Sequence, residues 1–165
     1  MKLPIEQQLI DWGIEYEKAE HPPVFTCAEA EEKVPPLPGA HIKNLFLRDR
    51  KGRRHFLLVV ACEKRVDLKV LAQIIAVDKL GMASGERLQK YLGVEPGAVT
   101  LLALVNDREK AVELVVDAEV WAAEALKCHP LVNTATLVIA RNGIERLLEK
   151  TGHALQVVEV PSRED

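Results

Sequence analysis

No stretch of this sequence approaches the roughly 20 consecutive apolar residues that a membrane span requires, so a helical membrane protein is excluded. The opening residues, MKLPIEQQLIDWG, carry acids and a proline where a secretory leader would hold an unbroken apolar run, and a cytoplasmic protein is expected. Neither sign of charge dominates: 22 Lys and Arg stand against 25 Asp and Glu, giving a formal net charge of −3 and a pI near 6.0. That balance excludes a protein that coats nucleic acid by bulk charge, but not one with a local basic patch. Cysteine is scarce. Cys27, Cys62 and Cys128 are odd in number, far apart and without a C-x-x-C pair, which points to buried or incidental thiols rather than zinc or redox chemistry. Cys128 adjoins His129, yet neighbours on an extended chain face opposite ways, so the two do not read as nucleophile and base. There is no G-x-G-x-x-G, Walker loop, H-E-x-x-H or G-x-S-x-G, which removes the standard dinucleotide, phosphate-loop, zinc-protease and triad classes. No cofactor and no metal are expected.

The 165 residues present suit one domain, 1–165, and hydrophobic content of 48% with 28% charge is ordinary for a globular core. Residues 4–12 place Ile5, Leu9 and Trp12 on one helical face, widened by Ile10 and closed by Gly13. A short strand follows in IEYEKAEH. Thr26 then caps a two-turn helix ended by Pro35, Pro36 and Pro38, a segment suited to a rim or lid. IKNLFLRD and RHFLLVVA flank a tight turn in RDRKGR and predict an antiparallel hairpin. Helices are expected in VDLKVLAQIIA, with Asp67 near its start, and in SGERLQKYLG, between a Ser84 cap and a Gly93 stop. AVTLLALVN and AVELVVD read as strands, AEVWAAEALKC as a helix and TATLVIA as a strand. NGIERLLEKTG reads as a helix capped by Asn142, and HALQVVEV as a closing strand. Helices and strands interleave without strict alternation. The expected class is therefore α/β of the α+β type: a mixed, largely antiparallel sheet curled into a partial barrel and flanked by helices.

Polar residues at strand mouths are the candidate chemistry. Within Ile42 to Arg48 the alternation puts Lys43 on the face of Leu45 and Leu47, and Asn44 on the face of Phe46 and Arg48. An ammonium on the apolar side of a strand is costly unless it is paired, reaches solvent at the strand end, or faces a polar cavity. His129, Asn133, Thr134 and Thr136 gather at a second mouth, where His129 also suits a helix C-terminus and Asn133 a turn. Pro96-Gly97 marks a turn whose amides suit an acyl carbonyl. Ser84 reads as a helix cap with no base beside it.

Taken in order, HPPVFTCAEAE, GAHIKNLFLRDRKGR, RVDLKVLA, ASGERLQKYLGVEPGAVT, LVND and HPLVNTATLVI resemble the YbaK/ProX family of aminoacyl-tRNA deacylases, relatives of the editing domain inserted in bacterial prolyl-tRNA synthetases. The resemblance spans about residues 3 to 160. It is strongest toward free-standing members that remove alanine from mischarged tRNA for proline, in KNLFLRD and HPLVNTAT. It implies an ester hydrolase without a protein nucleophile, in which a hydroxyl of the terminal ribose helps position water. Lys43 is the residue it implies for activity, facing a cavity for the acylated tRNA end. Asn44, the loop Gly97, Ala98, Val99 and Thr100, and His129 are the implied substrate contacts; Val24, Phe25 and the helix starting at Thr26, which precede the lysine strand as a lid would, are expected to narrow the pocket. The family loop is commonly G-x-x-x-P, and here Leu101 stands where proline would be. Arg48, Arg50, Lys51, Arg53 and Arg54 crowd one hairpin tip and are candidates for acceptor-stem phosphates, a solvated turn being the alternative. The implied partner is tRNA for proline carrying a wrong residue, with prolyl-tRNA synthetase as a second. Cysteinyl or another small aminoacyl ester, and a non-catalytic tRNA-binding module, are the alternatives to alanine editing.

Overall fold

In the computed structural model, which describes residues 2–163, Val59 at the middle of the molecule shows why the sheet forms as it does. It belongs to β3 (His55–Ala61), where the first six residues, HFLLVV, are all buried. A strand apolar on both faces must lie inside a sheet covered on both sides. β3 does so: antiparallel to β2 (Ile42–Arg48) along its whole length and parallel to β5 (Val112–Asp117). β4 (Gly81–Met82) and β8 (Leu155–Val158) form the edges, giving the order β4-β2-β3-β5-β8. A second sheet, β1-β7-β6, joins β1 (Glu17–Glu20), β7 (Ala135–Ala140) and β6 (Ala125–Cys128), all antiparallel.

The expected mixed, largely antiparallel architecture is present, since four of the six strand pairings among the described residues are antiparallel. The partial barrel is not: the described residues form two separate sheets, unclosed. The larger core includes Leu57 and Val59 from one face of β3, Leu137 and Ile139 from β7, and helices α1 (Pro4–Asp11), α4 (Gly85–Leu92) and α6 (Arg141–Thr151). Phe56, Leu58 and Val60 point the other way, into a smaller core under α3 (Leu68–Ile74). Thr26, Asp67 and Ser84 cap α2 (Cys27–Lys33), α3 and α4 as expected, each accepting from the amide three residues on.

Four local expectations fail, each for a physical reason. AVTLLALVN is not a strand: Leu101–Asn106 is a 3-10 helix whose residues Leu101 to Leu104 are wholly buried. A short run apolar all round lacks a period that separates helix from strand. AEVWAAEALKC splits into α5 (Ala118–Trp121) and β6, because pairing with β7 outweighs the helix propensity of alanine and leucine. Asn142 is inside α6 rather than its cap, with Ala140 at that position. Ile10 lies on the outer side of α1, 45% exposed, while Ile5 and Leu9 are buried. The membrane expectation stands in its narrow form: no helix among the described residues is long and apolar enough to cross a bilayer.

Candidate functional site

Among the described residues β4 pairs with Leu47 and Arg48 of β2, and no strand pairs with the first half of β2 on that side. A cavity can therefore reach around that edge to both faces of the strand. Lys43 stands opposite Val60 and Asn44 opposite Val59, on different faces, yet both line one cavity of about 730 Å³. The lysine drawn beside leucines by the alternation is half-buried and makes no hydrogen bond or ion pair among the described residues. Asn44 Oδ1 is buried and has no hydrogen-bond partner among the described residues. A buried acceptor left unmade costs about 1–3 kcal/mol, which makes Asn44 a candidate polar contact of the cavity.

The opposite wall comes from three chain segments that the fold brings together. Val24 is clasped to Asn133: its amide donates to the Asn133 carbonyl at 3.2 Å, and Asn133 Nδ2 donates to the Val24 carbonyl at 3.1 Å. That clasp sets Phe25 across the Pro96-Gly97 turn. A Cβ on Gly97 would lie 2.8 Å from the Phe25 ring and 3.2 Å from Asn133 Nδ2, so glycine is required for this approach. Phe25, Thr26, Gly97, Val99 and His129 all line the cavity. Ala98 and Thr100 are not among its lining residues. Ala98 is buried in the larger core, and the buried Thr100 turns its Oγ1 to the Leu102 amide at 3.2 Å. Leu101, where proline was expected, is also sealed in that core at the first position of the 3-10 helix.

His129 donates from Nδ1 to the Ala135 carbonyl at 3.4 Å. Burial lowers its pKa below the usual histidine value, the Ala135 carbonyl opposes this, and the nearby His21 and His41 lower it further. The ring is thus neutral at pH 7 and offers Nε2 as an acceptor. At the same mouth His21 Nδ1 donates to the Pro22 carbonyl at 2.9 Å and Nε2 lies 2.8 Å from Thr136 Oγ1.

The sequence reading missed several cavity residues, Lys127 among them, and three of these form one cluster. Cys27, at the start of α2, forms a disulfide with Cys62, just beyond β3, with Cα atoms 5.8 Å apart. The expectation of unpaired thiols is corrected for this pair, whose 35-residue separation hid it. His41 is the third: its ring lies within 4.8 Å of both sulfurs. Cys128 is free and buried, its thiol pushed up to about 12 by burial and so unreactive.

The hairpin tip lies at the far end of β2, about 17 Å from Lys43 at the usual strand rise. Asp49 fixes the turn by accepting from the amides of Arg53 and Arg54, bonds that lower its pKa. Arg48 donates to the carbonyls of Asp49 and Arg50, Arg50 pairs with Asp78, and Arg54 grips Glu113 through two nitrogens. Lys51 and Arg53 hold no side-chain partner among the described residues, so the fold leaves two of the five candidate cations uncommitted.

Away from the cavity, His153 Nε2 donates to Asp107 Oδ2 at 2.8 Å while Nδ1 lies 2.9 Å from Thr151 Oγ1, an outline like a hydrolase triad. Asp107 also accepts from the amides of Ala111 and Val112, and both Asp107 and His153 are buried. The group ties the turn before β5 to the end of α6 and admits no substrate.

Comparison with known proteins places these features in a wider set. The profile of the aminoacyl-tRNA editing domain matches residues 21–147. The prolyl-tRNA editing protein ProX of Acetoanaerobium sticklandii is 36% identical over 159 residues, covering 96% of this chain and 97% of the relative. A prolyl-tRNA synthetase associated domain-containing protein 1 from Danio rerio is 37% identical over 155 residues, covering 93% and 84%. A solved structure described as a candidate trans-editing enzyme for prolyl-tRNA synthetase superposes with a TM-score of 0.72 at 19% identity, over 99% of this chain and 100% of the other. A solved hypothetical protein gives 0.71 at 20% identity, over 94% and 97%. At these identities the two structures speak for the fold.

Proposed function

This chain belongs to the aminoacyl-tRNA editing domain family, and we propose that it is a trans-editing deacylase that hydrolyses alanine from mischarged tRNA for proline. The observation that carries the reading is a pair of neighbours on β2, Lys43 and Asn44, which line one cavity from opposite faces of the strand, Lys43 without an ion-pair partner and Asn44 with a buried Oδ1 that has no hydrogen-bond partner among the described residues.

Water attacks the ester carbonyl, the carbon–oxygen bond to the ribose breaks, and the ribose oxygen leaves with a proton, giving free alanine and an uncharged tRNA end. Lys43 holds the terminal phosphate or ribose by charge and does not act as a base. Asn44 Oδ1 accepts from the substrate's α-ammonium, a donor that every aminoacyl ester carries. Gly97 and Val99 line the acyl end, and neutral His129 packs against the substrate and orients it. Positioning of this kind is worth several kcal/mol in a preorganised site. A cavity of about 730 Å³ accommodates an acylated nucleoside, so sieving is assigned to the wall formed by Val24, Phe25 and Thr26. There alanine fits and the proline ring clashes. This complements a synthetase pocket, which gains only about 1–3 kcal/mol per missing methylene against smaller residues.

Purified protein and a Lys43→Ala variant are incubated with tRNA for proline carrying labelled alanine, cysteine, serine or proline, and ester loss is followed. Fast release of alanine, reduced at least about 100-fold in the variant, is expected. Preference for cysteine would reassign the substrate. Binding without release of any residue would make the chain a tRNA-binding module.

A further inference from the structure

The disulfide lies at the rim of the cavity, and it joins two parts of the chain that are otherwise held very differently. Cys62 follows the central strand and is 8% exposed. Cys27 opens α2, a helix with no buried residue, and is itself half-buried. Upstream of α2 the last firm attachment is the clasp of Val24 to Asn133. Within the helix the Thr26 cap and the exposed Glu29–Lys33 pair are local contacts that travel with it. The Cys27–Cys62 bond is thus the covalent tie between the lid and the floor of the pocket.

We infer that Cys27 and Cys62 form a reversible thiol–disulfide couple that docks α2 on the cavity and thereby sets which acyl groups the site accepts. Two features prepare the cluster for both states. Cys62 Sγ lies 3.2 Å from the Ile42 carbonyl oxygen, an acceptor that only the thiol form can use. The His41 ring, within 4.8 Å of both sulfurs, is placed to relay a proton to or from either one. The exchange balances with a dithiol reductant. Its thiolate attacks the more accessible Cys27 Sγ, the S–S bond breaks, and Cys62 leaves as a thiolate that takes a proton from water through His41. The second thiol of the reductant then displaces Cys27, so two electrons and two protons enter the protein and the reductant leaves as a cyclic disulfide. A low-molecular-weight disulfide such as oxidised glutathione reverses the reaction.

The effect on specificity rests on the deacylase reading above; the effect on α2 does not. Four samples separate them: oxidised protein, protein reduced with dithiothreitol, protein reoxidised with oxidised glutathione, and a Cys27→Ser/Cys62→Ser variant. Alkylation counts the thiols, amide exchange of residues 27–34 reports the lid with α6 as control, and release of alanine against proline reports the sieve. On reduction, exchange in the lid rises at least about tenfold with α6 unchanged, and the alanine-to-proline rate ratio falls at least about fivefold. Reoxidation restores both, and the double variant stays at the reduced values. Equal lid exchange in the oxidised and reduced protein would overturn the inference, as would failure of oxidised glutathione to re-form the bond. Uptake of one zinc ion per chain by the reduced protein, blocking reoxidation, would overturn it in favour of a metal centre. A lid that responds to redox state in a protein that releases no amino acid would sink the deacylase reading and keep the couple.

Discussion

Arg87 lies 3.0 Å from His55 Nε2, and a guanidinium has only donors to offer, so that ring nitrogen must accept and the imidazole must be neutral. Burial is the main cause of its lowered pKa, with the Arg87 charge next. His129 is shifted in the same direction by its own burial. An unfolded chain binds a proton at each histidine below about pH 6.5 that the folded chain resists. Their contribution is therefore complete above that value and is lost as pH falls toward the folded pKa values. Urea midpoints should drop between pH 7.5 and 5.5. His55→Phe, which keeps the stacking against Phe46 and Tyr91, should flatten that dependence; an unchanged slope would count against a neutral His55. Gly97 makes a second residue-scale case. Gly97→Ala must displace the Phe25 ring, which is 70% exposed and free to swing. Deacylation should fall about tenfold while the thermal midpoint moves by no more than about 2 °C. A large loss of stability instead would show that the ring cannot yield.

Helix α2 is stabilised from its ends rather than along its length. Thr26 Oγ1 accepts from the Glu29 amide at 3.1 Å, the disulfide anchors the first turn, and Lys33 faces Glu29 across one turn. Removing a cap costs about 1 kcal/mol, and in a helix without buried side chains that loss stays local. Thr26→Ala should therefore speed amide exchange in residues 28–34 about fivefold and leave the global denaturation midpoint unchanged. A fall in the global midpoint would mean that α2 unfolds with the core. The hairpin β2–β3 is the opposite kind of element, with β3 buried on both faces and its turn locked by Asp49.

Across the whole molecule the cavity and the hairpin tip occupy opposite ends of β2. If tRNA lies along the strand, its acylated end meets Lys43 and its stem phosphates meet Lys51 and Arg53. Lys51→Glu with Arg53→Glu should weaken tRNA binding about tenfold at low salt and flatten the salt dependence, by about one unit of slope for each phosphate no longer neutralised. The far-ultraviolet dichroism should not change. Unaltered affinity would return the tip to a solvated turn.

Much of this arrangement was written in local patterns. The hairpin, the caps at Thr26, Asp67 and Ser84, and the burial of β3 follow from spacing and turn chemistry, which act over a few residues. Lys43 stood out because a charge interrupted an alternation, and the six segments resembling the editing family supplied its role as an expectation. What the sequence could not convey lies at long range. Nothing local tells ALKC to pair with β7, or Leu101 to Asn106 to curl into a 3-10 helix rather than extend. Likewise, only the missing partner along Ile42 to Leu45 lets Lys43 and Asn44, which alternation sends to opposite faces, share one cavity. The meeting of Cys27 with Cys62, and of Phe25 with Gly97, also depends on where separate segments cross. Periodicity constrains neighbours along the chain; contacts between residues tens of positions apart are decided by packing.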